Sequence, residues 1–428
     1  MKTLICNARL LTMDEGKVYS DGCIVAEDAY IRYAGAQRNF TESFDKVIDA
    51  RGGIVMPGLV NAHTHSPMTL LRGCANDLAL DEWLNEHIFP LEDKLDGEAV
   101  YCGTLLACAE MIRSGTTTFA DMYFFSDNSA RAILDSGLNA NLSRCVTGTH
   151  QDYKKRLAEG RQLFAEYHCA GDGSLWVEHS AHAVYTCSRE VLHAVAEAAQ
   201  KDGTGIHIHL SETMKENRDC YRKYGKSPTE IMWDTGIFSV RTNAAHCVYL
   251  SENDMDILSQ NGVSISHNPT SNLKLASGVA NIKEIMGKQI NVALGTDGAA
   301  SNNALDVFSE MKLAALLHKG MRLDPTLIEA QTALEMATVN GAKALGRENE
   351  RGKLKEGYRA DLIILDADAP ALYPMHDPVS AVVYNGCGGA VETVMCNGRL
   401  LMEKRELLVL DMEKIKTGVS AAMHRMGL

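Results

Sequence analysis

The sequence predicts an α/β chain, a (β/α)8 barrel inserted in a small β-sandwich built from both chain termini. Eight short apolar runs alternate with helix-like stretches through the middle of the chain, and strand-like segments of one texture bracket that region at both ends. A third observation locates the chemistry. The run that opens the alternation, "GGIVMPGLVNAHTH", ends with His63 and His65 one residue apart.

In the first 55 residues, "KTLICNARLLTMD", "SDGCIVAEDAYIRYAGA" and "DKVIDARGGIVMPG" alternate apolar and polar positions between turns bearing Gly and Asp, the period of half-buried strands. After His65 helix-like stretches such as "DGEAVYCGTLLACAEMIRSG" and "SREVLHAVAEAAQKDG" separate the remaining runs. These are "TTTFADM", "LNANLSRCV", "SLWVEHSAH", "GTGIHIHLSE", "TNAAHCV", "GVSISHNP" and "INVALGTDG". Strand then helix, eight times over, is the pattern of parallel strands closed by right-handed crossovers. The barrel is therefore assigned to residues 56–350. After Arg351 the strand texture returns in "GKLKEGYRADLIILDAD" and "VETVMCNGRLLMEKRELLVLD", which assigns 1–55 and 351–428 to one composite β domain.

Composition narrows the function classes. With 46% hydrophobic and 23% charged residues the chain reads as an ordinary soluble globular protein. Its formal net charge of −13 argues against a nucleic-acid surface, which needs a basic excess. No apolar run is long enough to span a bilayer, and "MKTLICNARLLTMDEGK" lacks the apolar core and cleavage site of a secretory signal. The twelve cysteines are scattered without a CxxC, as expected of reduced, buried thiols in a cytoplasmic protein.

Barrel active sites lie at the C-terminal ends of the strands. Alternate residues of a strand point to one side, so His63 and His65 converge on one point, as two metal ligands would. Strand five ends in His209 with Glu212 three residues on, strand six presents His246, and strand eight ends at Asp297. Three nitrogens and one carboxylate at that rim suit Zn²⁺ or Fe²⁺ with a position left for water. Such an ion lowers the pKa of its water from 15.7 to about 7. Asp297 can take that proton, Glu212 can protonate a substrate nitrogen, and His246 can orient the oxygen. The expected reaction is hydrolysis at an sp² carbon. His207 shares the face of His209 one layer deeper and is expected to pack or hydrogen-bond behind a ligand. His267 is a candidate for the same supporting role.

The stretches "GLVNAHTHSPMTLLRG", "IHLSET", "AAHCV", "SHNPTSNLKLASG" and "LGTDGAASNN" resemble the amidohydrolase superfamily. Within it the chain resembles the 5-methylthioadenosine/S-adenosylhomocysteine deaminases, in the branch that also holds chlorohydrolases and guanine deaminases. The resemblance implies metal ligands at His63, His65, His209 and Asp297, and substrate contacts from Glu92, Arg144, Arg156 and His182. It implies that Glu92 accepts from ribose hydroxyls and that the two arginines meet an amino-acid carboxylate, although "GTHQDYKKRLAEG" around Arg156 reads as a loop. Strand four, "LWVEHSAHAVYTCS", has no lysine to bridge two metals, so one divalent ion per subunit is expected. The expected partner is a small nucleoside thioether or adenosine, with no nucleic acid and no membrane; a homo-oligomer is compatible. Dehalogenation or deamination of another heterocycle (guanine, a pterin or a triazine) is the alternative.

Overall fold

The computed structural model describes residues 1–148, 152–386 and 388–428. His150, a histidine without a motif, lies outside the described residues. The chain opens with β1 (Lys2–Leu11), β2 (Val18–Glu27), β3 (Tyr30–Ala36), β4 (Lys46–Asp49) and β5 (Ile54–Pro57). Then come β6 (Leu59–Thr64), β7 (Thr116–Tyr123), β8 (Asn139–Val146), β9 (Leu175–Ala181), β10 (Ile206–Leu210), β11 (Thr242–His246), β12 (Ser264–His267) and β13 (Val292–Leu294). The chain closes with β14 (Leu362–Leu365), β15 (Val391–Cys396), β16 (Arg399–Glu403) and β17 (Glu406–Leu407).

The eight apolar runs are the eight strands β6 to β13, paired in sequence order and all parallel. They are buried on both faces, which is why they read as continuous apolar runs rather than alternating ones. No ladder joins β13 to β6. That seam is closed by polar groups. Asp297 N–H donates to His63 O at 2.9 Å, and the Asn61 amide donates to Thr296 Oγ1 at 2.7 Å while accepting from Thr296 N at 2.9 Å. The helices between strands carry ordinary end signals. Arg189–Asp202, for example, is capped by Ser188, whose side chain accepts from Val191 N, and stops at Gly203.

The two chain ends form one nine-stranded mixed sheet in the order β17-β16-β15-β14-β5-β1-β2-β3, with β4 beside β1. Ile5, Ile24, Ile31, Leu362, Ile364 and Met395 come from strands across this path and share one apolar cluster apart from the barrel core. The last helix, Met412–Met426, begins just past the strand-like run that ends at Asp411, within the 351–428 segment assigned to the composite β domain. It docks on the barrel helix Gly97–Arg113, where a side chain at Gly418 would strike Cys102 Sγ and Arg425 Nε meets Asp96 Oδ2 at 3.2 Å.

A buried ion pair ties sheet to barrel. The Arg351 guanidinium and the Asp361 carboxylate bond directly, and both are nearly inaccessible. Asp361 also accepts from Asn139 Nδ2 of β8 at 3.1 Å and from Asn397 N at 2.6 Å, while Arg351 Nη2 donates to Asn397 Oδ1 at 3.0 Å. Removing one partner of such a pair strands a buried charge. Arg351→Ala is therefore expected to destabilise the fold by about 3–5 kcal/mol, read as a lowered denaturation midpoint. An unchanged midpoint would show that the network contributes nothing net.

Candidate metal and substrate site

His63 and His65 leave the end of β6, His209 sits near the end of β10, and Asp297 lies three residues beyond β13, in the loop after the strand rather than on its end. Their donor atoms meet. Asp297 Oδ1 is 3.2 Å from His63 Nε2 and 3.3 Å from His65 Nε2, and His65 Nε2 is 3.2 Å from His209 Nε2. Gly295 allows this approach, since a Cβ there would lie 2.8 Å from His63 Cβ and against Asn268 Oδ1.

The opposite ring nitrogens explain the orientation. His65 Nδ1 bonds Met122 O at 2.7 Å and His209 Nδ1 bonds His182 O at 2.9 Å. A carbonyl only accepts, so both Nδ1 atoms carry the proton and both Nε2 atoms present a lone pair. His63 Nδ1 faces His207 Nε2 at 2.9 Å, the supporting contact expected of His207. His63 Nε2 is buried and makes no hydrogen bond. Burial takes His63 down to about 4, so the ring is neutral, as ligation requires. Burial works to raise Asp297, but the close approach of His63 and the neighbouring imidazoles holds it well below the usual carboxylate range. Ser271 Oγ and Ser301 Oγ donate to its Oδ2 at 2.6 and 2.8 Å, leaving Oδ1 to the histidines. Three imidazole nitrogens, one of them the orphaned His63 Nε2, and an ionised carboxylate fit a divalent metal ion.

His246 is built differently. Its Nδ1 accepts from Asn272 Nδ2 at 2.9 Å, which leaves the proton on Nε2, 3.7 Å from Glu212 Oε2. It lies close enough to His63 and His209 to complete a ligand triangle, yet its tautomer makes it a donor. Glu212 accepts from Ser277 Oγ at 3.0 Å, and its backbone N–H donates to Glu216 Oε2 at 2.8 Å. Burial, aided by the charge of Asp297, pushes the Glu212 carboxyl up to about 8, so it holds a proton at neutral pH.

A cavity of about 660 Å³ opens over these groups. Every site residue expected from the sequence lines it except His63, which lies beneath. Glu92 accepts from Tyr123 Oη at 2.5 Å, and burial takes it up to about 7. His182 bonds Thr186 Oγ1 through Nδ1 at 2.9 Å, and burial takes it down to about 3. Arg156 is not on a loop. It belongs to the helix Asp152–Tyr167, where Nη1 donates to Thr147 O at 2.8 Å. Polar repeats such as "KKRLAEGRQ" concealed that helix, because most of its surface faces solvent. Leu80, Trp83, Leu84 and Phe89, from the segment between β6 and its helix, supply an apolar wall.

One expectation narrows. His267 does not reach the centre; its Nε2 lies 3.3 Å from His318 Nε2. The supporting groups Ser271, Ser277, Ser301, Asn272 and Glu216 had no sequence signal of their own, being short polar residues on loops or a helix start. Ser271, Asn272 and Ser277 lie within "HNPTSNLKLASG" and Ser301 within "GTDGAAS", and only those stretches could have marked them; Glu216 belongs to neither.

The chain is similar to known proteins along nearly its whole length. Residues 54–401 match the amidohydrolase family. The 5-methylthioadenosine/S-adenosylhomocysteine deaminase of Acetivibrio thermocellus is 48% identical over 99% of both chains. The 5'-deoxyadenosine deaminase of Methanosarcina mazei is 48% identical over 96% of this chain and 95% of its own. An adenosine deaminase from Xanthomonas campestris, solved with bound zinc, superposes with a TM-score of 0.94 at 32% identity, covering 99% of this chain and 98% of that one.

The backing of His63 by His207 carries a measurable consequence. His207→Ala removes the acceptor behind His63 without touching the donor cluster. Loss of such a supporting bond typically weakens metal affinity ~10–100-fold, so the variant should release metal to a competing chelator at correspondingly lower concentration. Wild-type retention would show that the His63–His207 contact does not serve the metal.

Proposed function

Because the chain belongs to the amidohydrolase family, we propose that it is a metal-dependent aminohydrolase of adenine nucleosides, replacing the 6-amino group by a carbonyl oxygen and releasing ammonia. The substrate class is 5'-methylthioadenosine, S-adenosylhomocysteine and adenosine. The observation that carries this reading is Glu212, a buried carboxyl held protonated beside the metal-binding cluster and open to the cavity. Attack at a purine ring carbon needs a donor for the adjacent ring nitrogen, and an acid poised near neutral pH suits that task.

His63, His65, His209 and Asp297 are assigned to one Zn²⁺, with Fe²⁺ as the alternative the same donor set accepts. When bound, the ion supplies Lewis acidity and a water acidified to near neutrality. Asp297 Oδ1 accepts the proton of the attacking water, its other oxygen being already committed to Ser271 and Ser301. Glu212 gives its proton to the ring nitrogen. His246 Nε2–H orients the attacking oxygen and stabilises charge on it. Glu92 accepts from the ribose hydroxyls, His182 contacts the nucleoside, and Arg144 and Arg156 meet a tail carboxylate. The described cysteines are all free, in keeping with a cytoplasmic setting. No helix among the described residues is long and apolar enough to cross a membrane.

Ammonia release from adenosine, methylthioadenosine, S-adenosylhomocysteine and guanine, with chloride release from a chlorotriazine, tests the class. Turnover confined to the adenine nucleosides is expected; turnover confined to guanine or the triazine overturns the assignment. Chelation should abolish activity and Zn²⁺ should restore it. Glu212→Gln keeps the cluster but removes the donor, and general acid–base catalysis contributes ~10²–10⁴-fold. A loss of that order with unchanged metal content is expected, and near-normal turnover would make Glu212 a bystander.

The arginines make a separate prediction. Arg144→Ala or Arg156→Ala should lower kcat/KM for S-adenosylhomocysteine at least about tenfold more than for methylthioadenosine, since bonds to charged groups are worth about 1.5–3 kcal/mol. Glu92→Ala should lower both substrates. Equal losses in the arginine variants would show that neither reads the carboxylate.

A further inference from the structure

A second cavity of about 660 Å³ adjoins the first and shares Phe124, Phe125, Arg144 and Arg156 with it. Its wall adds Glu159, one turn past Arg156 on the same helix. Glu159 has no place in the chemistry assigned above, yet it controls Arg144. Both Nε and Nη2 of Arg144 lie 2.8 Å from Glu159 Oε2, and Nη1 donates to Cys145 O at 2.6 Å. A guanidinium has five N–H groups. Nε and Nη1 each donate one, and Nη2 faces the same Glu159 oxygen as an ion pair, leaving hydrogens on Nη1 and Nη2 side by side at the end of the fork. That end can grip a carboxylate through two parallel bonds. The ring of Phe124, 5.3 Å from the guanidinium carbon, supports its plane.

The other Glu159 oxygen is nearly free. Among the described residues Oε1 meets only Lys155 Nζ, at 4.0 Å, from a lysine that is 84% exposed. An acceptor oxygen therefore stands beside a carboxylate-binding edge at the junction of the two cavities. A tail with a carboxylate alone would meet an Arg144 already neutralised by Glu159. A tail with an ammonium alone would meet Arg144 and Arg156. Only a tail carrying both charges is paired at both ends.

We propose that Glu159 is a specificity-determining residue. It forms, with Arg144 and Arg156, a subsite for a zwitterionic α-amino-acid tail, taking the ammonium on Oε1 while the guanidinium ends take the carboxylate. This rests on the nucleoside deaminase reading and names which 5'-substituent the site prefers.

The test compares adenine nucleoside thioethers with three tails: the homocysteine tail, the same chain lacking its α-amino group, and a methyl group. The readout, within each enzyme, is the ratio of kcat/KM for the zwitterionic tail to that for the carboxylate-only tail. Glu159 is partly exposed, so solvent screening limits the effect. The ratio is expected to exceed one in the wild type and to fall about fivefold or more in Glu159→Gln, which keeps the shape and removes the charge. A ratio within twofold of wild type in that variant overturns the proposal, as does a wild-type preference for the carboxylate-only tail. If the wild-type enzyme turns over the methyl thioether but shows no such dependence, only Glu159 is misassigned. If it deaminates none of the three, the deaminase reading falls and this subsite with it.

Discussion

The bond each imidazole of the cluster makes on its far side governs the rest of the site. A histidine can offer a lone pair from either ring nitrogen, and the choice is made by what holds the other one. Met122 O lies near the end of β7, and His182 O lies just past the end of β9. Each is a backbone atom of a strand neighbouring the one that carries the ligand, with Thr64 opposite Asp121 and Ile208 opposite Ala181 in the ladders. Ring orientation is thus a consequence of strand register. A slip of one residue would turn the ligand side chains to the other face of the sheet. The barrel does more than carry the residues to one rim, because its pairing also decides which nitrogen each presents.

The same burial sends two carboxyls in opposite directions. Asp297 and Glu212 are both almost inaccessible, and desolvation works against the charge of each. Asp297 receives two serine hydroxyls and the neighbouring imidazoles, enough to keep it ionised. Glu212 receives one serine hydroxyl and feels the charge of Asp297, so the proton stays. A base and an acid coexist a few ångströms from the cluster at one pH, the separation that acid–base chemistry at a single carbon requires. Glu216 reinforces the arrangement from behind, gripping the backbone of Glu212 rather than its carboxyl.

How far this could be read from the chain follows from length scale. The barrel was legible because parallel strands buried on both faces leave apolar runs that survive inspection one residue at a time. The histidines of the cluster were legible because they end those runs, and Asp297 because it follows the last of them. His207 could be placed behind the cluster from the strand period alone, since it shares a face with His209. The helix bearing Arg156 was not legible. Its sequence is polar along nearly every turn, and what fixes it is contact with β8 and β9, which no local pattern reports. The Met412–Met426 helix escaped for a related reason. Its apolar positions become meaningful only against Gly97–Arg113, more than three hundred residues earlier in the chain. Ser271, Ser277 and Ser301 act through single hydroxyls, and a lone serine on a loop or in a helix of one or two turns carries no periodicity to detect.

The loops that hold these groups are strained, and the strain has a direction. His246, Cys247, Ser211 and Asp297 all adopt positive φ, at 73°, 51°, 49° and 62°. Such backbone is uncommon for residues with a side chain and costs about 1–3 kcal/mol each. All four lie where a strand stops and its chain must turn away from the rim. An extended continuation would carry the next side chain onward along the strand axis; a left-handed residue breaks the alternation. Hydrogen bonds oppose the relaxation of that backbone. Asp297 N–H is held by His63 O, Cys247 N–H by Leu210 O, and both Val248 N–H and Tyr249 N–H by Ser211 O. Each bond ties one strained turn to the neighbouring strand end, so relaxing one turn would disturb the next around the rim. A glycine at these positions would relieve the backbone and remove the functional side chain of His246 or Asp297. The strain is therefore a consequence of placing a proton donor and a carboxylate at turns where conformation alone favours glycine.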